Sequence, residues 1–261
     1  MWRVAVAKEG VGVVDSLRAT SRTAVFTPLT AGGRTEAVVQ RITESIALGL
    51  LADGEQLPSE VELSAQLGVS TVTLREALAL LRDEGVVETK RGRSGGSFIR
   101  APGDPTASVM RARLAAVTVS ELRDAGDELA AVSGAAARLA SSRASTDNIR
   151  RLLVLAERIA ACSGGGERTR ADSRFHIEVA VAAASERLIQ AEVGLQAELG
   201  VLLWAPGTPD AQTRQAADEH GAIARAIAAE NAELAGQLAQ EHVERNTHKL
   251  IEARIDLHGG A

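Results

Sequence analysis

Residues 57–85 read LPSEVELSAQLGVSTVTLREALALLRDEG, and this stretch decides the fold of the first third of the chain. Ser59 is followed three residues later by Glu62, which is the spacing of a capping box. A short helix is therefore predicted from Glu60 to Leu67, and Gly68 is placed to end it in a left-handed conformation.

A second helix is predicted to begin after Ser70, the next candidate N-cap. Its buried stripe has the spacing i, i+3, i+4 and i+7 and consists of Leu74, Ala77, Leu78 and Leu81. The opposite, exposed face carries Thr71, Arg75, Ala79 and Arg82. Gly85 is placed to close this helix, so residues 57–85 predict a helix–turn–helix.

The flanking sequence completes a small domain. Upstream, an apolar stripe at helical spacing, formed by Val38, Ile42, Ser45 and Ile46, predicts a helix that Gly49 stops. Downstream, residues 86–89 and 97–99 read as two strands joined by a basic, glycine-rich turn at 91–96. A winged helix–turn–helix accounts for these signals between residues 34 and 100.

The exposed residues of this domain suit DNA. A recognition helix places short or cationic side chains from its first turns in the major groove, and the candidates are Ser70, Thr71, Thr73 and Arg75. The hairpin adds Lys90, Arg91, Gly92, Arg93 and Arg100, which suit phosphates or the minor groove. A solvated, Ser-capped surface helix explains Arg75 alone equally well, but it does not explain the whole set.

These motifs resemble the GntR family of bacterial transcription regulators. The similarity rests on Leu57–Glu60, Leu67–Ser70, Thr73–Leu78 and Gly92–Ile99 and covers roughly residues 25–101. It implies that Arg75 and the hairpin around Arg91 and Gly92 contact operator DNA. The chain departs from the family at Val61 and Thr71, where arginine is usual.

Composition supports a mainly α-helical protein. Only 2% of the 261 residues are aromatic, so the core must consist of small aliphatic side chains. The single cysteine, Cys162, excludes a disulfide framework or thiolate metal cluster built by this chain alone. The net charge is −5, so a nucleic-acid site must be a local basic patch.

The sequence indicates neither a membrane protein nor an exported one. Its apolar runs fall short of the roughly 20 residues that span a bilayer, and Lys8 and Glu9 interrupt the first 14 residues, which do not resemble a signal peptide. A cytoplasmic protein is therefore expected.

The predicted domains follow a break in composition. Residues 1–24 are expected to be a weakly specified N-terminal extension, and 25–101 the winged helix–turn–helix domain. The breaker cluster around Pro102 and Pro105 makes 102–105 a linker. Ala-rich amphipathic segments over 106–258 predict an all-helical bundle as the C-terminal domain.

All five histidines lie after residue 170. Asp172 and His176 are four residues apart, so on a helix they share a face and can hold one cation. With His220 and His242 they would suit Zn, Mn or Ni, leaving coordination positions for water or a ligand carboxylate. Taken singly, each histidine is better explained as a partly exposed surface residue.

The order of these motifs is similar to the FCD effector domain of the FadR branch of GntR regulators, over about residues 106–250. The similarity rests on Asp172–His176, Glu219–Ile227 and Ala235–His242. It implies that the metal ligands are Asp172, His176, His220 and His242, whereas His248 and His258 have no counterpart. It also implies that a small organic acid completes the coordination of the metal.

The chain departs from this domain in its first helix. Leu129 and Ser133 stand roughly where the family often has an arginine and a glutamate. Arg174 and Arg123 are therefore the candidate cations for the effector.

The sequence thus predicts a DNA-binding repressor controlled by a small carboxylate metabolite at a divalent-metal site, and not an enzyme. A homodimer is expected, because two recognition helices about 34 Å apart on a palindromic operator roughly double the contact energy. The alternative is a metal-dependent hydrolase that uses the same site, with Glu178 or Glu219 as general base.

Overall fold

The computed structural model describes residues 25, 29, 34–92, 95–101, 103, 107–205 and 208–259. These residues form two units, and the division falls between Gly103 and Asp104. The predicted extension, residues 1–24, lies outside the described residues. None of the described helices is both long enough and apolar enough to cross a membrane.

The first unit is a winged helix–turn–helix, as predicted. Its elements are helix α1 (Arg34–Ala47), helix α2 (Glu60–Leu67), helix α3 (Thr71–Asp83), strand β1 (Val87–Lys90) and strand β2 (Gly96–Ile99). The two strands are antiparallel, from the pair Val87–Ile99 to the pair Lys90–Gly96. Each strand is offset by one residue from its predicted start.

Local capping fixes where α2 and α3 begin. The Ser59 hydroxyl accepts from the Glu62 backbone N–H, and the Glu62 carboxylate accepts from the Ser59 N–H. Gly68 has a φ of 66°, so it ends α2 in the left-handed region that favours glycine. Ser70 caps α3 by accepting from the Thr73 N–H. These caps set the angle at which α3 leaves the turn.

Every regular element described in the second unit is helical. Its helices are α4 (Ala107–Ala116), α5 (Val119–Arg143), α6 (Thr146–Arg158), α7 (Gly165–Ala182), α8 (Glu186–Leu195), α9 (Val201–Leu203), α10 (Asp210–Ala228) and α11 (Ala232–Gly259). A 3₁₀ turn, Ile159–Ala161, follows α6, and a π-helical segment, Gln196–Gly200, joins α8 to α9. The predicted fold class, mainly α with a helical C-terminal bundle, is confirmed.

The core of the second unit lies between its two longest helices. Helix α5 packs along α11, and Leu122, Leu129, Val243 and Leu250 belong to one buried apolar cluster between them. Gly126 allows the close approach, because a Cβ there would lie 2.3 Å from the Thr247 Cγ2 atom. Helix α11 also packs against α10, and α5 packs against α7.

Candidate functional site

Three helices bring four predicted ligands together. Asp172 and His176 lie on α7, His220 on α10 and His242 on α11. All four side chains are buried, and the atoms that they offer to a metal ion lie within 4.8 Å of one another. Neighbouring histidine rings lie 4.8 to 5.2 Å apart, between centroids. The set predicted from the sequence is therefore one compact cluster in the folded chain.

A carboxylate orients the third histidine. His242 Nδ1 lies 2.6 Å from Glu219 Oε2, and Arg245 donates to the other oxygen of Glu219 at 3.1 Å. This geometry suits the tautomer with the proton on Nδ1, so the lone pair is on Nε2. A carboxylate that holds a histidine in this way is a common outer partner of a metal ligand. Glu219 is therefore hydrogen-bonded to His242, and its carboxylate is not free to act as a general base.

Burial favours the neutral forms of these groups. The pKa values of His176 and His220 lie well below 6.5, first because of burial and then because of the neighbouring His242. Burial raises the pKa of Asp172 to about 6, against the opposing effect of His242. Burial alone would raise the pKa of Glu219, but the hydrogen bond to His242, together with the positive charge of that ring when it is protonated, lowers it to about 2. Neutral imidazoles are the form that binds metal ions.

The donor set fits a divalent cation. His220 Nε2 and Asp172 Oδ1 lie 3.4 Å apart, and among the described residues neither of these buried atoms nor His220 Nδ1 makes a hydrogen bond. Leaving such groups unpaired is costly, and native proteins rarely do so. A cation between them would satisfy these atoms, and one carboxylate with three imidazoles suits Zn, Ni or Mn.

A cavity opens beside the cluster. Its space of about 310 Å³ includes open solvent, and the polar residues Asp172, His176, Gln196 and Asn246 lie in its wall. The remaining wall is largely apolar and is formed by Leu129, Leu199, Gly200, Leu203, Val243, Thr247 and Leu250. A ligand in this cavity would meet the proposed metal ligands at one end and aliphatic side chains elsewhere.

The cations predicted for the effector lie elsewhere. The described residues that line the cavity include neither Arg123, which is exposed, nor Arg174, which is partly buried. Lys249 is nearer, but its Nζ reaches the wall only through Asn246 Oδ1, at 3.4 Å. The effector roles of Arg123 and Arg174 therefore remain sequence-based predictions.

A buried polar chain behind the cavity was not predicted from the sequence. Ser133 on α5 donates to Glu192 on α8, at 3.1 and 2.9 Å to its two oxygens. Gln196 Nε2 donates to Glu192 Oε1 at 3.0 Å, and Ser173 donates to Gln196 Oε1. Burial raises the pKa of Glu192 to about 7, although both donors oppose the shift. The chain fixes the orientation of Gln196, which faces the cavity from the π-helical segment.

Glu178, the other candidate general base, is also bound to neighbouring side chains. Arg151 Nε donates to Glu178 Oε1 at 2.8 Å, and Asn148 donates to the same oxygen. Both Arg151 and Glu178 are buried. Glu178 is therefore half of an internal ion pair.

The candidate DNA-contacting residues lie at the start of α3 and on the hairpin. Thr71 and Arg75 are exposed, while Ser70 and Thr73 pair with each other through their hydroxyls at 2.8 Å. Arg75 Nε donates to Glu60 Oε2 at 2.6 Å, although both side chains remain largely exposed.

The basic hairpin carries an acid that the sequence analysis overlooked. Lys90 and Arg100 both pair with Glu88, at 3.0 and 2.8 Å, so this carboxylate partly offsets their charge. Lys90, Arg91 and Gly92 are exposed. Gly92 has a φ of 114°, which only glycine adopts readily. Arg93, also predicted to contact DNA, lies outside the described residues.

Comparison with known families matches both units. Residues 34–96 match the family described as "Bacterial regulatory proteins, gntR family", and residues 127–245 match the FCD domain. The putative HTH-type transcriptional regulator RmpR of Mycobacterium gastri is 45% identical over 226 residues, which cover 86% of this chain and 82% of that protein. The uncharacterized HTH-type transcriptional regulator Rv0494 of Mycobacterium tuberculosis is 28% identical, over 59% of this chain and 64% of its own length.

A solved structure shares the fold. The E. coli protein McbR/YncC superposes with a TM-score of 0.51 at 17% identity, covering 85% of this chain and 99% of that one. The matched relatives are transcription regulators, which confirms the prediction that the chain is not an enzyme and leaves the hydrolase alternative without support. The chain belongs to the GntR family of bacterial transcription regulators, with an N-terminal DNA-binding domain and a C-terminal FCD domain.

Proposed function

We propose that this regulator is a repressor that binds a palindromic operator as a homodimer and loses affinity when a small organic acid binds beside a divalent cation in the FCD domain. The main support for this proposal is the position of the Asp172 and His220 atoms that make no hydrogen bond. They are buried in a four-ligand cluster, at the polar end of an otherwise apolar cavity.

The cation would be held by Asp172, His176, His220 and His242. When bound, it supplies positive charge to which a carboxylate can coordinate. His242 would bind through Nε2, which now accepts a hydrogen bond from the Asn246 amide at 3.0 Å. Binding would release that amide, which lines the cavity, to donate to the ligand.

The lining favours an acid with one carboxylate and an apolar body. Leu129, Leu199, Leu203, Val243 and Leu250 would contact the body, and the described lining residues include no arginine or lysine for a second carboxylate. Burying an unpaired charge is costly, so a dicarboxylate of the same length would bind less well.

Helix α11 would transmit the signal. It carries the ligand His242, the lining residues Val243, Asn246 and Leu250, and the face that packs along α5. An effector alters an equilibrium only through a difference in affinity between two states. A preference of about 1–3 kcal/mol would change operator affinity about 5- to 150-fold.

The test uses DNA sites selected by the full chain from a random pool, with binding followed by fluorescence anisotropy. Hexanoate and adipate are compared at equal concentration, since they differ only in a second terminal carboxylate. We expect hexanoate to weaken binding of the zinc-loaded protein and adipate to have a much smaller effect. Equal effects, or none from either acid, would contradict the assigned ligand class.

Two histidine variants distinguish the proposed metal ligands from a histidine outside the cluster. His220→Ala should abolish the response to hexanoate, whereas His248→Ala, at a side chain 72% exposed on α11, should leave it unchanged. A full response in His220→Ala, or in wild-type protein treated with a chelator, would show that the cation is not involved.

The predicted role of Arg75 is tested on the same DNA. Arg75→Ala should weaken operator binding markedly with little change in melting temperature, because the side chain is 67% exposed. Arg82→Ala, two turns further along α3, is the matched control for the loss of one positive charge. If Arg75→Ala binds as well as wild type, the recognition helix is wrongly assigned.

A further inference from the structure

The first turn of α3 presents an apolar side chain where a DNA reader normally presents hydrogen-bonding groups. Val72 is the second residue of α3 and is 62% exposed. It precedes Arg75 by three residues, so the two side chains share a face of the helix. The folded domain gains little from a valine in this position, because most of its surface stays in water.

The hydroxyl groups of Ser70 and Thr73 are already engaged with each other. Ser70 Oγ accepts from the Thr73 N–H and pairs with Thr73 Oγ1 at 2.8 Å. Arg75 Nε is likewise bound to Glu60. Ser70, Thr73 and Arg75 therefore already make hydrogen bonds within the domain, whereas the methyl groups of Val72 are exposed.

A second exposed valine lies close by in the fold. Val61, on the first turn of α2, is 71% exposed. It is adjacent in sequence to Glu60, whose bond to Arg75 joins the start of α2 to the start of α3. Single exposed apolar residues are common on proteins, but these two are the most exposed large apolar side chains among the described residues, and both lie at this end of the helix–turn–helix.

We infer that Val72 is a specificity-determining residue that reads the 5-methyl group of a thymine in the operator, with Val61 extending the same apolar surface. The first residues of a recognition helix meet base edges in the major groove. Thymine is the base that offers an apolar group there, through its methyl. The same domain exposes the cations Arg75 and Arg91, whose positive charge suits the phosphates.

The test removes only the 5-methyl group of thymine and leaves the rest of the base unchanged. An operator selected from random DNA is resynthesised with deoxyuridine in place of each thymine of the half-site in turn, and affinities are measured at constant salt. For one thymine per half-site we expect deoxyuridine to weaken wild-type binding about fourfold, which corresponds to ~0.8 kcal/mol for one buried methyl group. Val72→Ala should bind the two duplexes equally, since its contact is already missing.

Controls distinguish the contact from general effects of the change in DNA. Val154→Ala, at a valine that is 45% exposed in the FCD domain, should keep the fourfold preference for thymine. If Val72→Ala binds too weakly to measure, Val72→Thr, which replaces one of the two methyl groups with a hydroxyl, should show a preference for thymine smaller than that of the wild type.

Three results would overturn the inference. They are a selected half-site without thymine, wild-type protein indifferent to deoxyuridine at every position, and a Val72→Ala variant that retains the full preference. Each would leave operator binding itself intact, so the failure of this inference is distinct from a failure of the proposed repressor function.

Discussion

Replacing Glu192 with glutamine should remove a pH-dependent loss of stability from the metal-free protein. Burial raises the pKa of this carboxyl from 4.5 to about 7, so the folded state holds the proton more tightly than the unfolded state does. The stability contributed by the protonated group is therefore present at acid pH and is lost as the pH rises from about 4.5 through about 7. A shift of this size corresponds to ~3 kcal/mol when the titration is complete.

Glutamine reproduces the protonated acid. Its oxygen can accept from Gln196 Nε2, and its amide can donate to Ser133 Oγ, so both bonds of the buried chain survive. Asp172, whose pKa burial raises to about 6, destabilises the metal-free protein in the same pH direction. Both proteins keep Asp172, so the difference between them reports the titration of Glu192 together with its charge coupling to Asp172.

The assay is urea unfolding of the wild type and Glu192→Gln from pH 5 to pH 8 in the presence of a chelator. The advantage of the variant should grow by ~2–3 kcal/mol over this range. Glu157→Gln, at an exposed position on α6, should show no such growth. A Glu192→Gln difference that is independent of pH, or a variant that becomes less stable than wild type at pH 8, would refute the reasoning.

Two further predictions concern packing and DNA affinity. Gly126→Ala should lower the melting temperature by several degrees, because its Cβ would lie 2.3 Å from the Thr247 side chain and overpacking costs ~1–3 kcal/mol. Gly194→Ala, where no atom lies within 4 Å of the added Cβ, should instead be neutral or stabilising by up to ~1 kcal/mol. Equal melting temperatures of the two variants would contradict the close packing of α5 against α11. Affinity for operator DNA should fall steeply with salt, since phosphate contacts release counterions, and a flat response in the same anisotropy assay would contradict the role of the hairpin.

The winged domain could be predicted closely because its signals are local. The Ser59–Glu62 capping box, Gly68 and the cap at Ser70 act within four residues of the helix ends that they determine. The structure therefore reproduces α2 at the predicted bounds, Glu60–Leu67. The pairing of Glu88 with Lys90 and Arg100 was missed, because Arg100 reaches it from the opposite strand.

The FCD domain was predictable as a set of helices but only partly as a site. The spacing of Asp172 and His176 places both on one face of α7. Their convergence with His220 and His242 depends on how three helices pack, and residue spacing alone left this open. The resemblance to the FCD domain supplied it.

Other parts of the helical domain carried no local signal. Ser133 and Glu192 meet across 59 residues of sequence, and a glutamate in an amphipathic segment ordinarily faces water. The break after α7 was also not predicted, because Ala184 adopts a φ of 49°, which non-glycine residues seldom do. The structure thus adds the polar chain behind the cavity, which no spacing rule indicated.

We propose that Asp172, His176, His220 and His242 bind one divalent cation in each chain. Equilibrium dialysis of the full-length protein against zinc, followed by elemental analysis, measures the bound metal. We expect one tightly bound zinc per wild-type chain and per His248→Ala chain, and its loss in His220→Ala. No bound zinc in the wild type, or one zinc per chain retained by folded His220→Ala, would contradict it.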